Sequence, residues 1–250
     1  KDLSSLRNQH LITHKEYRTV RESVFFLGRV RIALHQLSGK DENRLRFDVQ
    51  KTLAEQLGYE DDHKKMAVEY FMQDFYLHTR ALNNLCELMF SIFEAQLTQD
   101  KPQHIEQVSD DFTMINGQLD ILDPGLFTQR PSAIFEVFYH VGQHAKHRNL
   151  HPRTLRSLSH HLDLIDDDFR CNKANQALFV DILKSPHSIW HSLSRMMDYG
   201  ILARYLPDFE VIMGQMQFDL FHTHTVDKHT SQVIRQLREF KHGKHKDTLP

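Results

Sequence analysis

The sequence predicts an all-α fold, a multi-helix bundle carrying one small β-hairpin over about residues 111–122. Three observations lead there. Only nine glycines and seven prolines punctuate 250 residues, which suits long helices with short connections. No Gly or Pro interrupts Asp61 to Leu97; there Val68, Phe75, Leu82 and Met89 recur every seven residues, and Phe71, His78, Leu85 and Ile92 recur in step. In DFTMINGQLDIL, Asp111 to Leu122, alternating residues flank Asn116-Gly117, a pair suited to a turn with positive φ at both central positions.

Each element follows in order. Asp2 to Arg7 is polar and helix-like. A long helix runs from about Thr13 to Leu37: Thr13 with Glu16 is a capping-box pair, and Gly39 stands where a left-handed cap belongs. A second helix covers about Phe47 to Leu57 and stops at Gly58. The heptad stretch from Asp61 to Leu97 is predicted to pack along its whole length, with His78 in the seam as a satisfied core or boundary histidine. The hairpin closes at Asp123-Pro124-Gly125. It is expected as a two-stranded ribbon lying on the helices, because a lone hairpin is marginal in water.

Helices return from Pro131: Ala133 to Gln143, Pro152 through Leu162, Ala174 to Leu183, and Ile189 to Tyr199 before Gly200. Asp166-Asp167-Asp168 precedes a helix, where negative charge is favourable. Three adjacent carboxylates do not easily face one point, so they read as a solvated connection rather than a metal site. Pro207 marks a boundary, giving a helical domain over residues 1–206 and the start of a second domain over 207–250. After it come a Met-rich apolar stretch, Val211 to Phe221, a His-rich link, and an amphipathic helix from about Val226 to Phe240. Its stripe is Val226, Val233, Ile234, Leu237 and Phe240.

Composition narrows the function classes. Hydrophobic residues make up 40% and charged residues 26%, ordinary globular usage. A net charge of -2 gives no broad basic field, so nucleic acid is not an implied partner. No run reaches the roughly 18 apolar residues of a membrane span, and no signal-peptide pattern opens the chain, so no membrane partner is expected. Cys86 and Cys171 lie far apart and read as reduced thiols of a cytoplasmic protein. Cys86 has no electropositive neighbour in sequence to make it a nucleophile. The chain opens at Lys1 in helix-like sequence and closes just after a helical stretch, which leads to the expectation of a piece of a longer protein.

Chemistry-bearing motifs are few. No Gly-rich phosphate loop, Gly-x-Ser-x-Gly, His-Glu-x-x-His or Cys-x-x-Cys occurs. Histidine is the outlier, at 19 residues. His140 with His144, His187 with His191, and His144 with His147 have spacings that share a helix face, but two ligands do not make a site. The densest cluster is FHTHTVDKHT, Phe221 to Thr230, where His222, His224 and His229 stand close to Asp219 and Asp227. Imidazoles with carboxylates suit a divalent metal that activates water. The same residues also read as a polar linker entering a helix whose N-terminus favours Asp227. The residues therefore leave open a small metallohydrolase using His222, His224 and His229, and a non-enzymatic helical interaction module. The basic KHGKHK, Lys241 to Lys246, reads as the solvated end of the last helix.

Four stretches together resemble the bacterial PII uridylyltransferase/uridylyl-removing enzyme family. They are RVRIALHQLSGKDENRLRFDVQKTLAEQLGY (Arg29–Tyr59), VEYFMQDFY (Val68–Tyr76), LHPRTLRSL (Leu150–Leu158) and MMDYGILARYLPDFEVIMGQMQFDLFHTHTVDKHT (Met196–Thr230). They keep the family's order, and the last is the most specific. The resemblance implies a helical domain followed by the opening of a metal-dependent hydrolase of the HD class. The parent would transfer UMP from UTP to the PII nitrogen-regulatory protein and remove it by hydrolysis. Mg or Mn would serve as its metal, and UTP and glutamine would act through domains outside these residues. This region itself is then expected to be catalytically silent, a connector and PII-binding surface that holds no cofactor tightly. One position carries over: His229, in TVDKHT, matches the first histidine of the HD metal site, while His222 and His224 lie just outside that motif. Two features depart from the family. Gly28 stands where members often have Trp, at about 1 kcal/mol of helix propensity against Ala, and the histidine enrichment has no family counterpart.

Overall fold

The computed structural model describes residues 3–8, 11–98, 103–143, 149–185, 189–218 and 225–241. It opens with helices α1 (Leu3–Asn8), α2 (His14–Ser38), α3 (Phe47–Gln56) and α4 (Ala67–Thr98). Strands β1 (Ile105–Gln107), β2 (Phe112–Ile115) and β3 (Gln118–Ile121) follow, then α5 (Leu126–Gln129), α6 (Ala133–Gln143), the two-residue strand β4 (Asn149–Leu150) and α7 (Pro152–His160). The remaining helices are α8 (Asp167–Cys171), α9 (Lys173–Leu183), α10 (Ile189–Asp198), α11 (Ile201–Tyr205), α12 (Pro207–Ile212) and α13 (Val226–Lys241). The fold is thus mainly helical with a small β element. No described helix is long and apolar enough to cross a membrane.

Local chemistry sets the helix ends. The Thr13 hydroxyl accepts from the Glu16 amide at 3.2 Å, and the Glu16 carboxylate accepts from the Thr13 amide at 2.6 Å, completing the predicted capping box. Gly39 ends α2 in the left-handed region, at φ 65°. Helix α4 starts six residues later than the predicted Asp61. Asp61 instead accepts from the Ala67 amide at 2.6 Å, and Asp62 accepts from the Lys64 and Lys65 amides at 2.8 and 2.9 Å. Short acidic side chains that bond nearby amides this way hold the backbone in a turn.

The chain divides into two compact units. The first comprises residues 1–86 and 212–229. Its core joins Val30, Ala33 and Leu34 of α2 to Leu53 and Ala54 of α3 and to Ala67, Val68, Phe71 and Met72 of α4; Met216 closes it. Phe47 stacks on Phe218 at 4.3 Å between ring centres. His78 is a boundary histidine: its Nδ1 lies 3.0 Å from the Ser23 hydroxyl, and its ring stacks on Phe26 at 4.4 Å. Along the heptad stretch Val68 and Phe71 are buried and Phe75, His78, Leu82, Leu85, Met89 and Ile92 are half-buried, whereas Phe90 and Leu97, off that seam, are 74% and 81% exposed. A seven-residue repeat states which side of a helix is apolar, not how far a neighbour covers it.

The second unit comprises residues 87–211 and 230–250. The Asn116-Gly117 turn forms as read, with φ 50° and 81°, and pairs Phe112 with Ile121 and Ile115 with Gln118. The predicted two-stranded ribbon is, however, the middle of a four-stranded sheet in the order β1-β2-β3-β4, with β4 joining β3 in parallel. The added strands are three and two residues long, too short to show alternation. Helix α6 is apolar nearly all round and buried accordingly: Ile134, Phe135, Val137, Phe138 and Val141 are at most 1% exposed. Phe169 of α8 and Tyr205 of α11 meet Phe135 edge-on at 5.0 and 4.7 Å. Gly142 admits the close approach of Ser185; a Cβ there would lie 2.3 Å from the serine Oγ. Asp166 caps α8 by accepting from the Phe169 amide at 2.9 Å, so the acidic run sits at a helix start as predicted.

Candidate functional site

The segment that carries the His-rich motif enters α13 through a tightly held turn. Gly214, at φ 68°, passes the chain close to α4: a Cβ there would sit 3.3 Å from the Gln73 carbonyl. The Gln73 side-chain amide donates to the Met213 carbonyl at 3.0 Å, and the Val226 amide donates to the Gln215 carbonyl at 2.8 Å. These bonds fix the point at which α13 begins.

Asp227, in the first turn of α13, is 3% exposed. Its Oδ2 accepts from Arg80 of α4 at 3.3 Å, and the same guanidinium nitrogen lies 3.4 Å from the Met213 sulfur. The positive end of the helix dipole also favours a carboxylate there. Its Oδ1 is buried without a hydrogen-bond partner among the described residues. Successive helical residues turn by about 100°, so Asp227 and His229 point to nearly opposite sides of α13. Asp227 faces inward, while His229 is exposed, its amide donating to the Thr225 carbonyl at 2.8 Å.

His229 therefore offers an open imidazole on a fixed backbone. It has no companion ligands: among the described residues no three His, Cys, Asp or Glu come together as metal ligands would. A zinc-type site needs three or four converging donors and a magnesium site several oxygens, so the described residues do not fit a complete metal site. Asp219, His222 and His224 lie outside the described residues, as do His144, His147, His187 and His242 to Lys246. Of the predicted histidine pairs, His140 and His191 are described; His140 packs 5.1 Å from the Phe112 ring and His191 lies in α10. Cys86 and Cys171 are both free and exposed. Two tyrosine hydroxyls are held in the protonated state. Burial, aided by Asp74 at 2.7 Å, pushes Tyr59 well above its ordinary pKa, and burial pushes Tyr199 up to about 12.

Sequence reasoning missed one polar centre. Asp120 of β3 is completely buried, and the Arg153 guanidinium of α7 grips it through Nε and Nη2. The Thr154 hydroxyl donates to it at 2.8 Å, its own neighbour Ile121 donates a backbone amide at 2.9 Å, and His151 Nδ1 lies 3.0 Å away. His151 Nδ1 is also 3.4 Å from the Arg153 amide. One nitrogen cannot donate to the first and accept from the second in one tautomer; the shorter contact, to the carboxylate, assigns the proton to Nδ1. Burial pushes the Asp120 pKa up, but hydrogen bonds from His151 and Arg153, with further help from Thr154, bring it below the ordinary carboxylate value. The available signal was HPRT, His151 to Thr154, a polar run opening a helix.

Comparison with known proteins places the chain. A family model described as GlnD PII-uridylyltransferase matches residues 1–90, and one described as uridylyltransferase GlnD third domain matches residues 112–205. A bifunctional uridylyltransferase/uridylyl-removing enzyme of Nitrosococcus oceani is 40% identical over 98% of this chain and 28% of its own length. Enzymes of the same name from Azotobacter vinelandii and Pseudomonas putida are 41% and 37% identical, over 95% and 100% of this chain and 27% and 28% of their own lengths. The chain thus spans a little over a quarter of the length of these curated relatives. No solved structure matches it. Two parts of one family follow each other along these residues, and relatives alike over nearly every residue share one name: the chain belongs to the GlnD PII-uridylyltransferase family.

Proposed function

We propose that the chain is the helical region and the opening of the hydrolase part of a bifunctional enzyme. That enzyme transfers UMP from UTP to PII and removes it by hydrolysis. The observation that carries this reading is the identity of about 40% to enzymes of that name over 98% of the chain. In it, residues 1–206 connect the two catalytic parts and contribute a PII-binding surface, and residues 207–250 begin the hydrolase. The end of the third-domain match at residue 205 supports that boundary. UTP and glutamine act through other parts of the enzyme.

His229 is proposed as the first histidine of the hydrolase metal site. Its exposure leaves the ring accessible to donors supplied elsewhere in the enzyme, and the Arg80–Asp227 pair holds the backbone that presents it. When bound, Mg or Mn would activate the water that releases UMP. This chain contributes only the imidazole and its fixed position, and one imidazole does not retain a divalent ion tightly.

The test is His229→Ala in the longer enzyme, with UMP transfer to PII and UMP removal from modified PII assayed side by side. Removal is expected to fall to background while transfer survives. If both survive, His229 is no metal ligand and the assignment of residues 207–250 falls with it. Metal analysis of the 250-residue chain adds a separate check: retention of about one divalent ion per molecule would indicate a self-contained metallohydrolase.

A further inference from the structure

Helix α2 has two apolar sides, and the first unit uses one of them. Val30, Ala33 and Leu34 are buried in the core with α3 and α4. On the opposite side Val24, Phe25 and Ile32 are 56%, 70% and 61% exposed. Steps of three and four residues line up Arg21, Val24 with Phe25, Gly28 and Ile32 along that side. A whole Phe presents about 150–250 Å², so the patch reaches the few hundred Å² that mark an interaction surface. A groove of about 520 Å³ opens beside Phe25, with Tyr17, Arg18 and Arg21 in its lining.

Shape and charge select what can cover this patch. A Cβ on Gly28 would meet nothing within 4 Å, and Gly28 takes no left-handed φ, so nothing inside the described chain requires a glycine there. Val24, Phe25, Arg31 and Ile32, three and four residues away, border the resulting notch as four side chains border the hole that receives a knob from a facing helix. Arg18, Arg21, Arg29 and Arg31 are all exposed around the patch, and Glu22 is the one exposed carboxylate of α2. Among the described residues Arg18 has Glu22 at 3.8 Å, and the other three arginines have no ion-pair partner. Two copies meeting through this side would set arginine against arginine, which like charge disfavours. A helix with acidic edges meets the same arginines favourably.

We propose that this side of α2 docks an amphipathic helix with acidic edges, carried by a part of the same enzyme outside these residues. The matched stretch is 28% of the length of the Nitrosococcus oceani relative, so most of such an enzyme lies elsewhere. The docked helix sets a large apolar side chain into the notch at Gly28, beside Phe25 and Ile32. Its carboxylates meet the arginines, whose guanidinium forks match carboxylate geometry. The inference rests on the reading of this chain as part of that longer enzyme, and it concerns assembly rather than either reaction.

Hydrogen exchange of the peptide spanning Val24 to Ile32, read by mass spectrometry in the 250-residue chain and in the longer enzyme, tests it. Exchange is expected to be about tenfold slower in the longer enzyme, without PII present and at any protein concentration. Phe25→Glu should abolish the slowing, and Arg21→Glu or raised salt should weaken it. Both positions are exposed, so the two variants should leave the 250-residue chain as stable as before. The proposal is overturned if exchange is equal in the two proteins, or if both variants leave the slowing intact. It is also overturned if slowing appears only when PII is added, which makes PII the occupant, or if the 250-residue chain already shows it and loses it on dilution, which makes a second copy the occupant. A longer enzyme that transfers and removes UMP yet shows equal exchange overturns this inference and leaves the proposed function standing.

Discussion

Replacing Asp120 with Asn removes one charge and almost no volume from a completely buried position. The amide keeps one acceptor oxygen but turns an NH2 group toward donors. Arg153 is 45% exposed, so it regains water, and its share of the loss is at most about 1 kcal/mol, as for surface pairs. Thr154 is fully buried and has no such recourse. A hydrogen bond to a charged group contributes about 1.5–3 kcal/mol. Together these give a destabilisation of about 2–4 kcal/mol at neutral pH. The pH dependence has a definite sign. Because the folded-state pKa of Asp120 is depressed, its contribution is complete above the unfolded value of about 3.9 and is lost as pH falls from there through the folded value. Urea unfolding of both chains, followed by circular dichroism between neutral and acid pH, reads the difference directly. The gap should narrow below about pH 4. A gap under about 1 kcal/mol at neutral pH, or one that persists unchanged into acid, would refute the view that the Asp120 charge organises this centre.

Two glycine substitutions should move stability in opposite directions. Gly28→Ala adds a Cβ that meets nothing within 4 Å, so the helix-propensity gain of about 0.5–1 kcal/mol should appear as a higher melting temperature. Gly142→Ala sets a Cβ 2.9 Å from Ser185 Cβ as well as against its hydroxyl, and overpacking of about 1–3 kcal/mol should outweigh the same gain. Arg80→Met leaves the buried Asp227 carboxylate without its cation, which should cost about 3–5 kcal/mol in denaturant unfolding. A loss below about 1 kcal/mol would mean that Asp227 reaches solvent and that the pair does not hold the entry to α13.

Features written within a few neighbouring residues were legible in the sequence. Thr13 with Glu16, Gly39, and Asn116-Gly117 all act where their spacing puts them. The start of α4 was misread because Asp61 and Asp62 serve a turn, a choice invisible to helical periodicity. Helices α5, α8, α11 and α12 are four to six residues long, less than two turns, and show no period. The site divides the same way. His229 is singled out in the sequence by family resemblance alone and its role is a proposal, whereas the partners of Asp120 and Asp227 were not legible. Arg153 stands 33 residues from Asp120, and Arg80 stands 147 residues from Asp227. Such pairs exist only once strand and helix, or two helices, are brought together.

The interrupted first unit has a consequence for the order in which the protein can be made. Met216, which closes its core, and Phe218, which stacks on Phe47, are synthesised about 130 residues after Cys86. At about 5–20 residues per second, α2, α3 and the start of α4 leave the ribosome roughly 7–26 s before those side chains exist. Through that interval the Phe71 side of α4 lacks part of its cover, while Glu87 to Val211 have emerged nearly complete. The second unit, which also takes in residues 230–250, is completed later still, so both units wait on the last stretch of chain, the period in which a holding chaperone has an apolar surface to bind.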